Sequence, residues 1–209
     1  MNPSILMLLP ALVAPAGDAG SVLKSLEASG RALKTMKADF VETKVVVVLD
    51  ETEATRGVVL LEIPGRLRWN YTAPQESAML IKDGRFARYF PKSKQVFRGS
   101  AKGEAELLVG FGPGAADLGK KYEVTLVGEE AVASTASWVL DLKPRAPGQG
   151  FFAAIRLWVD KARSIPVQTR LTEPTGDHTT IRFENVVLNG PLPKDAFDLA
   201  LPKDVVEVE

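Results

Sequence analysis

Gly57-Val58-Val59-Leu60-Leu61-Glu62-Ile63-Pro64-Gly65-Arg66-Leu67-Arg68-Trp69-Asn70-Tyr71 is the stretch whose reading decides the fold. Two β-prone runs meet at Pro64-Gly65, a pair that punctuates strands and makes turns. In the second run Arg66, Arg68 and Asn70 alternate with Leu67, Trp69 and Tyr71, so polar and apolar side chains fall on opposite faces of a strand. Glu62 marks the polar side of the first run and sets Val59, Leu61 and Ile63 on the other. The two runs describe a hairpin with one apolar and one wet face.

The same pattern extends in both directions. Phe40 to Leu49, Ser77 to Ile81, Phe86 to Phe90 and Gln95 to Arg98 are short β-prone segments set off by Ala73-Pro74, Asp83-Gly84 and Pro91-Lys92-Ser93. Tyr122 to Val127, Ser137 to Leu142, Phe151 to Asp160, Ile165 to Leu171 and Thr179 to Leu188 continue it in the second half. Ile155, Leu157 and Val159 oppose Arg156 and Asp160, and Ile181 and Phe183 oppose Arg182 and Glu184. Apolar residues from Val22 to Met36 recur at steps of three, four and seven, which predicts one amphipathic helix from about Ser21 to Met36, capped by Ser21. A second short helix is expected at Glu104 to Val109, ahead of the glycine-rich run Gly110 to Gly114. About eleven strands in consecutive antiparallel hairpins, with two short helices, give an α+β chain with a curved sheet. So few helices cannot cover such a sheet as a full layer. Either the strands close on themselves, or a concave apolar groove lies under a partial lid.

Composition narrows the chemistry. The chain has 209 residues, 26 Lys+Arg against 26 Asp+Glu, no cysteine and one histidine. That length closes a core without staples. With no cysteine, thiol chemistry and Cys-based metal, haem or iron–sulfur sites are excluded, and His178 alone builds no multi-histidine site, so neither a metal nor a cofactor is expected. A zero net charge gathers no polyanion, and nucleic acid is not expected as a partner. Gly114 to Lys121 has the glycine and lysine spacing of a phosphate loop, but Lys121 stands where the magnesium-binding Ser/Thr belongs. No G-x-S-x-G elbow is present, His178 reads as a solvent-facing hairpin tip beside Gly176-Asp177, and Asp50, Glu51 and Glu53 read as a solvated turn. No enzyme is expected.

Ile5 to Val13 form a short apolar run that ends in Ala14-Pro15-Ala16, a small-x-small site of the kind signal peptidase cuts. Residues 1–19 are therefore expected to be a signal peptide cleaved near 16 or 19, with 20–209 a single exported domain. Without cysteine, anchoring through a lipidated N-terminal cysteine is not expected.

One resemblance goes further. Asp39-Phe40-Val41-Glu42-Thr43, then Gly57-x-Val59-x-Leu61-x-x-Pro64-Gly65-Arg66-Leu67-Arg68-Trp69-x-Tyr71-x-x-Pro74, then Asp83-Gly84 and an aromatic before Pro91, and finally Phe197-x-Leu199-x-x-Pro202-x-x-Val205, resemble the LolA-type periplasmic lipoprotein carrier family. The resemblance implies an incomplete β-barrel, strongly curved and antiparallel, whose concave apolar face is lidded by short helices. It implies a soluble, monomeric carrier in the periplasm of a Gram-negative bacterium that shields the acyl chains of lipoproteins. Such a carrier receives them from an inner-membrane lipoprotein-releasing ABC transporter and hands them to an outer-membrane acceptor. The apolar cavity would be lined by Val59, Leu61, Ile63, Leu67, Trp69, Tyr71, Met79, Ile81, Ile155 and Leu157, with Leu107 and Leu108 in the lid. Where the family has an arginine before the proline, tying down the lid by hydrogen bonds, this chain has Ile63. A periplasmic lipid- or lipoprotein-binding sensor, or an outer-membrane receptor of the same fold, is the alternative.

Overall fold

The computed structural model describes residues 18–101, 111–112, 115, 118–146 and 151–208. Helix α1 (Ala19–Ala32) leads into strands β1 (Thr35–Val46), β2 (Glu51–Glu62), β3 (Arg66–Ala73), β4 (Ser77–Lys82), β5 (Arg85–Phe90) and β6 (Gln95–Ser100). One helical turn, α2 (Leu118–Lys121), opens the second half: β7 (Tyr122–Val132), β8 (Thr135–Pro144), β9 (Ala154–Asp160), β10 (Pro166–Thr172), β11 (His178–Leu188) and the short β12 (Val206–Val208).

The twelve strands of the described residues belong to one sheet, in the order β12-β6-β5-β4-β3-β2-β1-β11-β10-β9-β8-β7. Each half is a run of antiparallel hairpins, and the halves join where β1 pairs with β11. Among these strands only β12 runs parallel to its neighbour, β6. The end strands β12 and β7 do not pair with each other, so the curved sheet is an incomplete barrel, and with its short helices the chain is α+β, as expected. The twelfth strand, at the C-terminal tail, is one more than the sequence pattern suggests.

Register follows from alternation. Leu67 sits between Leu61 and Ile81, and Trp69 between Val59 and Met79, so these residues share one face across three strands. Asp83 and Gly84, with φ of 54° and 73°, turn β4 into β5 in two residues, the backbone that matches the twist of the flanking strands. The helix starts and stops earlier than its periodicity suggests. Asp18, not Ser21, is the cap, its carboxylate accepting the Ser21 N–H at 3.1 Å. Leu33 is already extended and Met36 lies in β1. Both are buried in the same core, which is why their spacing continues the helical pattern past the helix.

The convex face is not uniformly wet. Val58, Leu60 and Leu80 point away from the concave side and are covered by Leu192, Ala196 and Phe197 of the C-terminal segment. Arg68 pins that segment by donating to the carbonyls of Ala196 and Asp198 at 3.2 and 2.9 Å, and Lys82 reaches the Asp198 carboxylate at 3.4 Å. Under the other half, Val139, Trp158 and Val167 form a second convex cluster, with the Trp158 indole N–H bonded to Glu130 at 2.7 Å.

Candidate functional site

The concave face carries the main apolar core. Its described cover consists of α1, which buries Val22 and Leu26, and of the segment leading into α2, whose described residues Phe111, Ala115 and Leu118 are buried as well. Phe111 stands edge-on to Phe183 of β11, ring centres 5.2 Å apart. The pieces meet at Gly30, Gly112 and Ile63. A Cβ on Gly30 would run into the Gly112 carbonyl, and one on Gly112 would lie 2.8 Å from Ile63 Cδ1. With φ of +58°, Gly112 also holds a backbone conformation that few side chains tolerate. Ile63 therefore meets the cover by methyl contact.

Val59, Leu61, Leu67, Trp69, Met79, Ile81, Ile155 and Leu157 are all buried in this one cluster, together with Phe40, Leu140 and Phe183. Ile63 and Tyr71 pack against it and are partly exposed. Leu107 and Leu108 lie outside the described residues. In this arrangement the residues named for the wall are a closed core: Leu157 is 0% exposed, Trp69 1% and Leu67 6%. Phe40, Trp69, Tyr71 and Phe183 form an aromatic patch within the core, Phe40 lying edge-on to Trp69 at 4.5 Å and to Tyr71 at 5.3 Å.

Towards the ends of β1, β3 and β5 the concave face becomes polar. Glu42 lies two residues beyond Phe40 and shares its face, and Arg88 is opposite Met79 on one side and Phe97 on the other. The Arg88 guanidinium lies 5.2 Å from the centre of the Tyr71 ring and 5.1 Å from that of Phe90, a cation held between two π faces. Glu42 accepts from the Thr55 hydroxyl at 3.5 Å. Burial pushes the Glu42 carboxyl above its ordinary value; the Arg88 charge and the Thr55 bond pull it back without cancelling the shift. Burial, and after it the Glu42 charge, push the Tyr71 hydroxyl up, which keeps it a neutral donor. The sequence reading missed Arg88 and Glu42, although parity with Phe86 and Phe90, and with Phe40, was available to place them inward.

The remaining motifs resolve plainly. His178 is the first residue of β11, half-buried, with Nε2 2.6 Å from an Arg170 nitrogen, and so is more enclosed than a hairpin tip in solvent. Asp50 turns β1 into β2 with φ of 51°, and it, Glu51 and Glu53 are exposed. Leu118 to Lys121, from the segment with phosphate-loop spacing, form the helical turn that feeds β7.

Comparison with known proteins agrees with this geometry. Residues 31–200 match the family of the outer membrane lipoprotein carrier protein LolA. The chain is 27% identical to the outer-membrane lipoprotein carrier protein of Chromobacterium violaceum over 98% of this chain and 97% of that one. It is 24% identical to the protein of the same description from Helicobacter hepaticus, over 90% and 91% of the two chains. Among solved structures, a conserved protein of Thermus thermophilus has the same fold, with a TM-score of 0.58 at 16% identity, covering 91% of this chain and 98% of the other.

Proposed function

This chain belongs to the LolA family of outer membrane lipoprotein carrier proteins, and we propose that it works as an exported carrier that shields the acyl chains of lipoproteins on its concave face and delivers them towards the outer membrane. Residues 1–19 serve export to the periplasm, and 20–209 form the single lipid-binding domain. Val59, Leu61, Ile63, Leu67, Trp69, Tyr71, Met79, Ile81, Ile155 and Leu157 line the bound chains once α1 and the segment around Phe111 lift. An inner-membrane lipoprotein-releasing ABC transporter loads the monomeric carrier, and an outer-membrane acceptor unloads it. No catalysis is assigned to it.

One observation carries this reading: among the described residues, the apolar concave face of an open sheet is covered by one helix and a short segment seated on it by apolar contacts. Energetics supply the reason. Each acyl methylene left in water costs about 0.8 kcal/mol, so a chain of about fifteen methylenes costs roughly 12 kcal/mol and crosses water only when wrapped. A cover held by packing yields to an occupant that restores the same apolar contact. Native mass spectrometry of the protein isolated from its own periplasm tests the proposal. A co-purifying acylated protein is the expected result; recovery of ligand-free protein alone, also after overproduction of an acylated lipoprotein, overturns it.

A further inference from the structure

Three buried side-chain polar atoms among the described residues have no hydrogen-bond partner: Trp69 Nε1, Arg88 Nε and Thr169 Oγ1. Thr169 lies on β10 between Leu157 and Ile181, and as a hydroxyl it both donates and accepts, so it sets no polarity for a ligand. The other two are obligate donors. Trp69 and Arg88 belong to one cross-strand row, Trp69 facing Met79 and Met79 facing Arg88, on the concave face. An unmet buried donor is costly, and one on a charged guanidinium more so. What both lack is an acceptor.

We propose that Arg88, braced between Tyr71 and Phe90, with the Trp69 indole N–H further along the same row, receives the carbonyl oxygens that every acyl chain carries at its linkage, so that the site selects ester-linked acyl lipids over ether-linked chains of equal length. The inference rests on the carrier reading and deepens it. Hydrocarbon tails satisfy the apolar wall but give these donors nothing. An acyl chain lying along Leu67 and Trp69 towards the rim brings its one polar group to the level where the lining turns polar. Glu42 lies on the same face and is held by the Thr55 hydroxyl. Tyr71 adds a neutral hydroxyl beside it.

The test compares 1-oleoylglycerol with the ether 1-O-oleylglycerol, which have the same chain length and head group and differ in the carbonyl, by calorimetric titration of the full mature protein. The ester is expected to bind about tenfold more tightly, the worth of a charge-assisted hydrogen bond in place of an unmet donor. In Arg88→Met the ester's advantage over the ether should fall to within about twofold, with a thermal melt confirming that the variant folds. Equal affinity of ester and ether for the parent protein overturns the inference and leaves the carrier reading intact, as does a preference that survives in Arg88→Met. If neither lipid binds, the carrier reading falls and this assignment falls with it.

Discussion

Phe111→Ala separates a lid that opens by itself from a cover that is simply part of the core. Phe111 is 5% exposed, packs edge-on to Phe183 at 5.2 Å, and is the largest buried side chain described in the segment that also holds Ala115 and Leu118. Truncating a buried phenylalanine to alanine costs about 3–5 kcal/mol. If that cost falls on the closed position of this segment, the ratio of lifted to closed cover rises by roughly two to three and a half powers of ten. The sheet keeps its own pairings meanwhile, so the central strands should lose far less. Hydrogen exchange followed by mass spectrometry reads both: peptides spanning 111–121 should exchange about a hundredfold faster or more, with β1, β2 and β11 nearly unchanged. Acyl-lipid affinity should rise in the same variant, because a ligand that binds only the open form is penalised by the fraction closed. Equal loss of protection in cover and central strands would show that they open as one unit, and the lid would then be no lid. A fall in affinity would instead make Phe111 part of the loaded wall.

Three further outcomes are expected. Asp160 accepts from the N–H groups of Ala162 and Arg163 and from Arg163 Nε at 2.7, 3.2 and 2.7 Å. Burial pushes its carboxyl up, but these bonds and the Arg163 charge more than reverse it, so its stabilisation is present above the unfolded value of about 3.9 and is lost as pH falls through the lower folded value. Asp160→Asn should therefore cost about 1–3 kcal/mol in urea melts at pH 7 and lose most of that difference near pH 2; a difference independent of pH would refute the assignment. Glu42 behaves in the opposite sense: its folded value is raised, so stability drops as pH climbs from the unfolded value of about 4.3 through the folded one. Glu42→Gln should be more stable than the parent at pH 7 and equal to it at pH 3, and parallel stability curves would count against a buried, charge-disfavouring site. Finally, N-terminal sequencing of the native protein should begin near Gly17 or Gly20, whereas an intact Met1 on protein recovered from the cytoplasm would refute export.

Alternation made most of the sheet legible. Leu67, Trp69 and Tyr71 against Arg66, Arg68 and Asn70 place β3 with one face inward, and the structure keeps that facing. What alternation hides is burial on both faces. Val58-Val59-Leu60-Leu61 is a continuous apolar run, and such runs occur where a strand is covered on both sides. Read as one-sided, it conceals the C-terminal segment that lies over Val58 and Leu60 and that Arg68 pins in place. The family-like phrase around Phe197 gains a physical meaning only once that convex cover is seen. The polar rim was legible by parity in Arg88, but a lone arginine between aromatic residues has no partner in the sequence to point to. Closure was not legible at all. α1 seats on the cover where Gly30 meets Gly112, a contact between residues far apart in the chain that no local pattern encodes.

On the proposed carrier reading, the closed core seen here and a groove open to cargo would be two states of one face. Eight wall residues, from Val59 to Leu157, are buried here. At about 1.5–3 kcal/mol for each side chain, leaving all of them wet would cost roughly 12–24 kcal/mol, comparable to or larger than the roughly 5–15 kcal/mol by which a domain is usually stable. A carrier without cargo must therefore cover its own wall. It must also give that cover up, so the cover cannot be a full layer of helices locked by polar bonds. On the proposed carrier reading, a helix of 14 residues and a short segment whose Gly112 meets the Ile63 methyl form a cover whose removal one or two acyl chains, at roughly 12 kcal/mol each, would offset. Leu67→Glu would then act first on the closed form: seated between Leu61 and Ile81, the carboxylate is dry while the cover is shut and reaches water once it lifts. Such a substitution strains the cargo-free protein before it spoils the surface offered to cargo, because the side chain that would touch the acyl chain is the same one that seals the empty protein against solvent.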